Sequence, residues 1–97
     1  MMVLITYDVS FEDGGGERRL RHIAKICLDY GVRVQYSVFE CDATPDQWVM
    51  LQDKLFKAYD ASVDSLRFYK LGSNWRNRVE HHGAKRAPDI FKDTLLI

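Results

Sequence analysis

The sequence predicts a ferredoxin-like α/β sandwich, in which an antiparallel sheet carries two helices on one face and pairs with a second copy through the other. Two amphipathic helical segments alternate with strand-like segments, and only short turns separate them. The chain has 97 residues, which suits one domain. No linker or repeat interrupts residues 1–97, so we expect a single domain over that range.

The first predicted strand, Met2–Val9, is rich in β-branched and aromatic residues. Its apolar side chains fall on both faces, with Leu4 on one and Val3, Ile5 and Tyr7 on the other. A strand that is apolar on both faces is covered on both. Helices can cover one face, and we expect a partner chain to cover the other.

The first helix is predicted over Glu17–Tyr30, after a glycine-rich loop, Ser10–Gly16. Gly31 is the expected helix stop. Apolar residues recur at helical spacing and define the buried face: Leu20, Ile23, Ala24, Cys27 and Leu28. The opposite face is polar and basic, so the segment is typical of a surface helix.

The second strand is predicted as one segment, Arg33–Cys41. A second helix follows, since Thr44, Pro45 and Gln47 form a capping box with proline at the first helical position. We expect this helix to end near Tyr59.

The C-terminal third is predicted to contain a third strand, Ser62–Leu71, and a weak fourth strand, Asn74–Glu80. The elements admit two orders, β-α-β-β-α-β or β-α-β-α-β-(β) with a tail, and both indicate the ferredoxin-like sandwich. An exposed apolar sheet face marks an interface, which predicts a two-fold homodimer. The tail, about residues 88–97, is expected to pack on the partner subunit, with Thr94–Ile97 available to extend its sheet.

Asp8 is the one acidic residue in the first strand and stands at its end. Such a carboxylate has to be solvated, paired or bound to a metal, and its oxygens suit Mg²⁺ or Mn²⁺. One carboxylate is too few for a nuclease metal site, whereas a symmetric dimer supplies two. Two facing carboxylates repel each other unless a cation lies between them. The plain alternative is an exposed aspartate that caps the turn at Ser10.

The charges are unevenly distributed, although the formal net charge is zero. Residues 1–66 carry seven basic and eleven acidic residues, whereas residues 67–97 carry seven basic and three acidic ones. Arg18, Arg21 and Lys25 form a stripe on the first helix. The C-terminal cluster contains Arg67, Lys70, Arg76, Arg78, Lys85 and Arg86. Clustered arginines suit phosphate, and the absence of a base-reading motif predicts backbone binding without sequence specificity.

Membrane and secretory classes are disfavoured by the sequence. No apolar run approaches the roughly 20 residues of a membrane helix, and the N-terminus lacks a basic region before its apolar residues. We therefore expect a cytoplasmic protein without a membrane partner. Cys27 and Cys41 match no zinc or redox spacing, and Cys27 is expected to be a buried thiol.

Several of these segments together resemble the small, universal CRISPR-associated nuclease family of the spacer-acquisition machinery. They are Tyr7-Asp8-Val9, the arginine-rich first helix and the stretch Arg33–Phe39. Asn77–Gly83 further resembles the branch found with type I-C systems. The resemblance implies a homodimer in which Asp8 faces its symmetry mate, binds Mg²⁺ or Mn²⁺ and is catalytic.

The resemblance also implies partners and further site residues. It implies that the dimer handles double-stranded DNA or RNA and bridges copies of the CRISPR integrase. The basic clusters described above and the resemblance together predict nucleic-acid binding by Arg18, Arg19, Arg21, Lys25, Arg33, Arg76 and Arg78. Supporting positions are Tyr7, Ser10 and Phe39. We predict a metal-dependent endonuclease acting on duplex DNA, with a non-catalytic DNA-binding adaptor and a toxin-like ribonuclease as alternatives.

Overall fold

The computed structural model describes residues 1–83, which form one four-stranded sheet and two α-helices. The strands and helices are β1 (Met2–Asp8), α1 (Gly16–Leu28), β2 (Gly31–Gln35), β3 (Val38–Asp42), α2 (Pro45–Ala58) and β4 (Ser65–Gly72). The sheet order is β2-β3-β1-β4, and every neighbouring pair is antiparallel. The order β-α-β-β-α-β of the ferredoxin-like prediction is confirmed.

The prediction of one strand over Arg33–Cys41 is wrong, because this stretch turns back on itself at Tyr36 and Ser37. The backbone amide of Tyr7 donates to the carbonyl of Ser37 at 2.9 Å, so the turn is tied to β1. Neither turn residue is a glycine or an asparagine. The alternation of apolar residues at Val34, Tyr36 and Val38 continues through the turn without a break. The signals that usually mark a hairpin are therefore missing from the sequence.

The predicted strand at Asn74–Glu80 is also wrong. Trp75–Asn77 forms a single 3₁₀ turn, and the Arg76 guanidinium lies 4.5 Å from the centre of the Trp75 ring. The expectations for Lys85, Arg86 and the tail at 88–97 concern residues outside the described part of the chain.

Both helices begin where the sequence places them, to within a residue. Thr44 caps α2: its hydroxyl accepts from the Gln47 amide at 3.2 Å, and the Gln47 side chain accepts from the Thr44 amide at 2.9 Å. On α1, Leu28 was expected to face inward but is half exposed, whereas Ile26 is buried. No helix within residues 1–83 has the length and apolar character needed to cross a membrane.

The core lies between the helices and one face of the sheet. Val3, Ile5 and Tyr7 supply the β1 side of it, and Phe39 lies opposite Ile5 on β3. The Trp48 ring of α2 meets Phe68 of β4 edge to face, with centroids 4.9 Å apart. Cys27 and Cys41 are buried as well, as expected for Cys27. The helices therefore cover the face of β1 that carries Tyr7.

The other face of the sheet is left open by both helices. Leu4, Thr6 and Asp8 point to it from β1, because side chains alternate along a strand. Their partners across the β1–β4 ladder are Tyr69, Arg67 and Ser65. Asp8 therefore reaches the surface on the face that a second copy was expected to cover.

A candidate metal site at the end of the first strand

Asp8 is the last residue of β1, is exposed and lies opposite Ser65, the first residue of β4. An open pocket of about 290 Å³ lies on this part of the sheet, lined by Thr6, Asp8, Ser65 and Arg67. Asp8, Thr6 and Ser65 offer oxygen atoms, and Arg67 contributes a cationic guanidinium. The pocket thus combines hard oxygen donors with a group that can bind phosphate.

These donors fit Mg²⁺ or Mn²⁺ in kind, because both ions prefer carboxylate and hydroxyl oxygens. They are few in number: within residues 1–83 no group of three or more His, Cys, Asp or Glu side chains is arranged to hold a metal ion. A closed protein cage is therefore absent from this part of one subunit. A site that uses Asp8 needs water, substrate oxygens or a second subunit to complete it.

Asp64 immediately precedes Ser65 of the pocket in the chain and is buried. Its carboxylate accepts five hydrogen bonds. The Tyr7 hydroxyl donates to Oδ2, the Ser10 amide donates to Oδ1 at 3.0 Å, and the Asp60 amide donates to Oδ2 at 3.1 Å. Arg19 supplies the other two, from Nε to Oδ2 at 2.7 Å and from Nη2 to Oδ1 at 3.1 Å. A buried carboxylate with this many donors is fully satisfied.

Arg19 is engaged on every side of its guanidinium. Besides Asp64, it binds Asp13 through Nη1 at 2.9 Å and the carbonyl oxygen of Ser10 through Nη2 at 3.0 Å. Only 15% of its side chain is exposed, against 0% for Asp64. Arg19 therefore ties α1 to the loop after β1 and to the residues before β4.

These contacts shift the ionisation of the buried groups. Burial by itself would raise the pKa of Asp64, but the hydrogen bonds from Arg19, the Ser10 amide and Tyr7 hold that pKa well below its usual range. Burial raises the pKa of the Tyr7 phenol, and its hydrogen bond to Asp64 raises it further. The hydrogen bond to Asp64 is the main reason that the pKa of Arg19 is raised. At neutral pH the cluster thus holds an ionised carboxylate, a guanidinium and a neutral phenol.

The glycine-rich loop is folded tightly against this cluster. Gly14 adopts a left-handed conformation with φ of 79°, and a Cβ on Gly16 would lie 2.3 Å from the Ser10 carbonyl oxygen. The Asp13 carboxylate accepts from the Gly15 amide at 3.1 Å. The loop therefore brings Asp13 and Arg19 together, beside the end of β1.

Asp64 and Asp13 were not identified from the sequence. Asp64 falls inside the stretch predicted as the third strand, Ser62–Leu71, where a lone acid resembles any solvent-facing residue. Its partners Tyr7 and Arg19 are 57 and 45 positions away. The one local signal is its place directly before a strand of alternating apolar residues, and that signal is weak.

The residues predicted to bind nucleic acid lie in three separate parts of the structure. Arg18, Arg21 and Lys25 are exposed on α1. On β2, the exposed Arg33 guanidinium lies 5.2 Å from the Phe39 ring centre and 5.6 Å from that of Tyr36. Phe39 itself is buried in the core.

The third place follows β4. Arg76 and Arg78 are exposed there, and Arg78 Nη1 donates to the carbonyl of Leu71 at 2.6 Å. Because β4 begins opposite Asp8 and ends opposite Met2, these two arginines lie toward the far end of the sheet. The structure gathers Tyr7, Asp8, Ser10 and Arg19 at one end, but not Arg76 or Arg78.

Comparison with known proteins gives one consistent family. The model of the family described as CRISPR associated protein Cas2 matches residues 1–79. A CRISPR-associated endoribonuclease Cas2 of Nitratidesulfovibrio vulgaris is 65% identical over 89 residues, covering 92% of this chain and 87% of the relative. A protein of the same description from Chlorobaculum tepidum is 58% identical over 97 residues, covering both chains completely.

Two further relatives bear on activity and fold. A CRISPR-associated endonuclease Cas2 of Halalkalibacterium halodurans is 50% identical over 96 residues, covering 99% of each chain. The crystal structure of Streptococcus pyogenes Cas2 superposes with a TM-score of 0.77 at 55% identity, covering 86% of this chain and all of the other. The residues matched by the family model, 1–79, include the strand that ends in Asp8.

Proposed function

Because the chain belongs to the Cas2 family of CRISPR-associated proteins, we propose that it is a metal-dependent endonuclease that works as a homodimer in spacer acquisition and antiviral defence. The observation that carries this proposal is the exposed Asp8 carboxylate, in a pocket with Arg67 on the open face of the sheet. The names of the relatives, endoribonuclease or endonuclease, support phosphodiester cleavage as the reaction.

Asp8 is the residue that would hold Mg²⁺ or Mn²⁺, with the hydroxyls of Thr6 and Ser65 as neighbouring oxygen donors. Such an ion activates water and offsets the charge that develops on a phosphodiester during hydrolysis. Arg67 lines the same pocket, and its guanidinium is suited to hold and orient a phosphate of the substrate.

A second copy completes the site in this proposal. The open face combines the apolar Leu4 and Tyr69 with polar residues, and Tyr69 is 42% exposed. Such a face is suited to a two-fold interface, in which the same patch meets itself. Two Asp8 carboxylates on that face can share one cation, which relieves their mutual repulsion.

We propose double-stranded DNA as the substrate, held through its phosphates. The exposed residues Arg18, Arg21, Lys25, Arg33, Arg76 and Arg78 are the proposed contacts. Arg19 was predicted in the same set, but its guanidinium already binds Asp64, Asp13 and Ser10, so we assign it a structural role instead.

One other substrate and one other function are candidates. The other substrate is RNA, which is favoured by relatives named endoribonucleases. The second function is a non-catalytic adaptor that binds DNA and the CRISPR integrase, and the exposed arginines support its DNA-binding part. Cleavage assays on duplex DNA and on RNA separate the two substrates, and a variant of Asp8 tests the catalytic role against the adaptor role.

The test is Asp8→Asn in the full-length protein, with Asp53→Asn as the matched control. Asp53 is an exposed carboxylate on α2 that binds Lys57, and α2 covers the face of the sheet opposite to the pocket. Cleavage of duplex DNA and of RNA is measured with Mg²⁺ and with EDTA. We expect wild type and the control to cleave only in the presence of Mg²⁺. We expect Asp8→Asn to lose this activity. Equal Mg²⁺-dependent activity in Asp8→Asn would contradict the catalytic role of Asp8. Cleavage of RNA but not of duplex DNA would show that RNA is the substrate.

A further inference from the structure

The two chain segments that flank Asp8 are held by one buried carboxylate. Tyr7 precedes Asp8 and donates its hydroxyl hydrogen to Asp64 Oδ2, whereas Ser10 follows it and donates its amide hydrogen to Oδ1 at 3.0 Å. The residue after Asp64 is Ser65, which pairs with Asp8 across the sheet. Asp64 thus holds the residue before Asp8 and a residue after it, and it directly precedes the residue that pairs with Asp8 across the sheet.

Asp64 itself cannot serve as a ligand in its present position. Its side chain is 0% exposed, and its two oxygens accept five hydrogen bonds in all. A carboxylate surrounded in this way has no free lone pair directed to the surface. Apart from its charge, which Tyr7→Phe leaves in place, Asp64 can therefore influence the pocket only through the residues that it holds.

The orientation of Asp64 is fixed in turn by Arg19. A guanidinium that binds both oxygens of a carboxylate sets its plane as well as its position. Asp13 holds the other edge of the guanidinium, with Oδ2 2.9 Å from Nη1 and Oδ1 3.2 Å from Nη2. Asp13, Arg19 and Asp64 therefore form a linked set of side chains from three parts of the chain: the loop after β1, helix α1 and the residues before β4.

We propose that Asp64 is a positioning residue, which fixes the end of β1 so that the Asp8 carboxylate is held ready for a divalent cation. This inference rests on the function proposed above, and it adds a residue that sets the affinity of the site without touching the ion. Residues that orient metal ligands typically change metal affinity or activity by roughly 10–100-fold when they are replaced.

The experiment compares Mn²⁺ binding to full-length wild type, Asp64→Asn and Asp53→Asn. Asparagine keeps the shape of the side chain but removes its charge and turns one acceptor into a donor. Binding is followed by Mn²⁺ electron paramagnetic resonance, at a temperature where circular dichroism shows each variant folded. We expect the Kd of Asp64→Asn to rise by roughly 10–100-fold and that of Asp53→Asn to stay at the wild-type value.

Kinetics give a second readout that a purely structural role would not move. The Mg²⁺ concentration for half-maximal cleavage should rise in Asp64→Asn, while the rate at saturating Mg²⁺ recovers toward wild type. A folded Asp64→Asn protein with wild-type Mn²⁺ affinity and wild-type Mg²⁺ dependence would overturn the proposal, even if its melting temperature had fallen.

Tyr7→Phe decides the question if Asp64→Asn does not fold. It keeps the aromatic ring in the core and removes only the hydroxyl that donates to Asp64. Weaker Mn²⁺ binding in this variant supports positioning, and unchanged binding overturns it. Asp8→Asn separates the two levels of inference: unchanged Mn²⁺ binding there overturns the metal site and the positioning role together. Lost binding there, with Tyr7→Phe unaffected, overturns the positioning role alone.

Discussion

Arg19 binds Asp64 through two parallel hydrogen bonds, from Nε to Oδ2 at 2.7 Å and from Nη2 to Oδ1 at 3.1 Å. The two residues are 45 positions apart in the chain. The pair joins α1 to the residues before β4, and Tyr7 and Ser10 complete the cluster from the β1 side. The end of the strand that carries Asp8 is therefore set by long-range side-chain contacts as well as by the sheet.

The ionised Asp64 predicts a loss of stability in acid. Because its pKa is depressed in the folded state, it stabilises the fold above the unfolded value of about 3.9, and this contribution is lost as pH falls through the folded value. The free energy of unfolding should fall below about pH 4 more steeply in wild type than in Asp64→Asn. At pH 7 the variant should be less stable by about 3 kcal/mol, as expected when a buried ion pair is broken.

Urea unfolding across a pH series measures this difference. Asp53→Asn, which alters an exposed ion pair, should follow the wild-type curve closely. An Asp64→Asn curve parallel to wild type at acid pH would show that folding does not lower the pKa of Asp64.

Gly16 is expected to tolerate no side chain. A Cβ there would lie 2.3 Å from the Ser10 carbonyl oxygen, and Ser10 is held by both Asp64 and Arg19. Gly16→Ala should therefore lower the free energy of unfolding by roughly 1–3 kcal/mol. Each kcal/mol lost should lower the melting temperature by at least about 4 °C. Differential scanning calorimetry measures the change.

Gly14→Ala is the matched control for Gly16→Ala, since Gly14 has a φ of 79° but no atom within 4 Å of its added Cβ. It should lose stability through backbone strain alone and retain Mn²⁺ binding, whereas Gly16→Ala should weaken both. A Gly16→Ala protein with wild-type melting and metal affinity would contradict the tight packing of this loop.

The exposed basic residues of α1 are expected to bind phosphate without reading sequence. Replacing Arg18 and Arg21 by Gln should weaken DNA binding equally for all sequences and reduce the slope of log K against log salt concentration by about 1.8, or about 0.9 for each lost phosphate contact. Fluorescence anisotropy at several salt concentrations measures both quantities. Lys54→Gln with Lys57→Gln on α2 is the control, and an equal loss of slope there would show that the binding is not local to α1.

The open sheet face is expected to form the dimer. Tyr69→Asp places a charge on that face, so the protein should elute as a monomer in size-exclusion chromatography with light scattering. Met50→Asp is the control, because Met50 is 55% exposed on α2, on the helical side of the sheet. Dissociation by Met50→Asp but not by Tyr69→Asp would move the interface to the helices.

Periodicity and capping were sufficient to predict the helices. The 3.6-residue spacing of α1 and the Thr44–Gln47 capping box of α2 are local signals, and both elements form where they indicate. The hairpin between β2 and β3 was missed, because Tyr36 and Ser37 carry none of the usual turn chemistry. The contacts that accompany the hairpin are long-range: Phe39 is buried in the core, and the Tyr7 amide donates to the carbonyl of Ser37.

The candidate site was predictable only in part, for a related reason. Asp8 stood out because a charge at the end of an apolar strand needs an explanation. Arg19 looked like its basic neighbours Arg18 and Arg21, and only the three-dimensional structure shows that it turns inward to Asp64. Partners brought together by folding from distant positions leave no periodic trace in a single sequence.

The central place of β1 in the order β2-β3-β1-β4 has a consequence for motion. Within residues 1–83, Met2–Thr6 of β1 pair with both β3 and β4, whereas β2 and β4 are each paired on one side only. Asp8 lies just beyond the ladder with β3 and pairs with Ser65 of β4. Local opening of a fold begins at its least protected segments and reaches a doubly paired strand last. The backbone that leads to Asp8 should therefore be among the last parts of the sheet to open, so the proposed binding of a cation at its end would cost little conformational entropy in the strand itself.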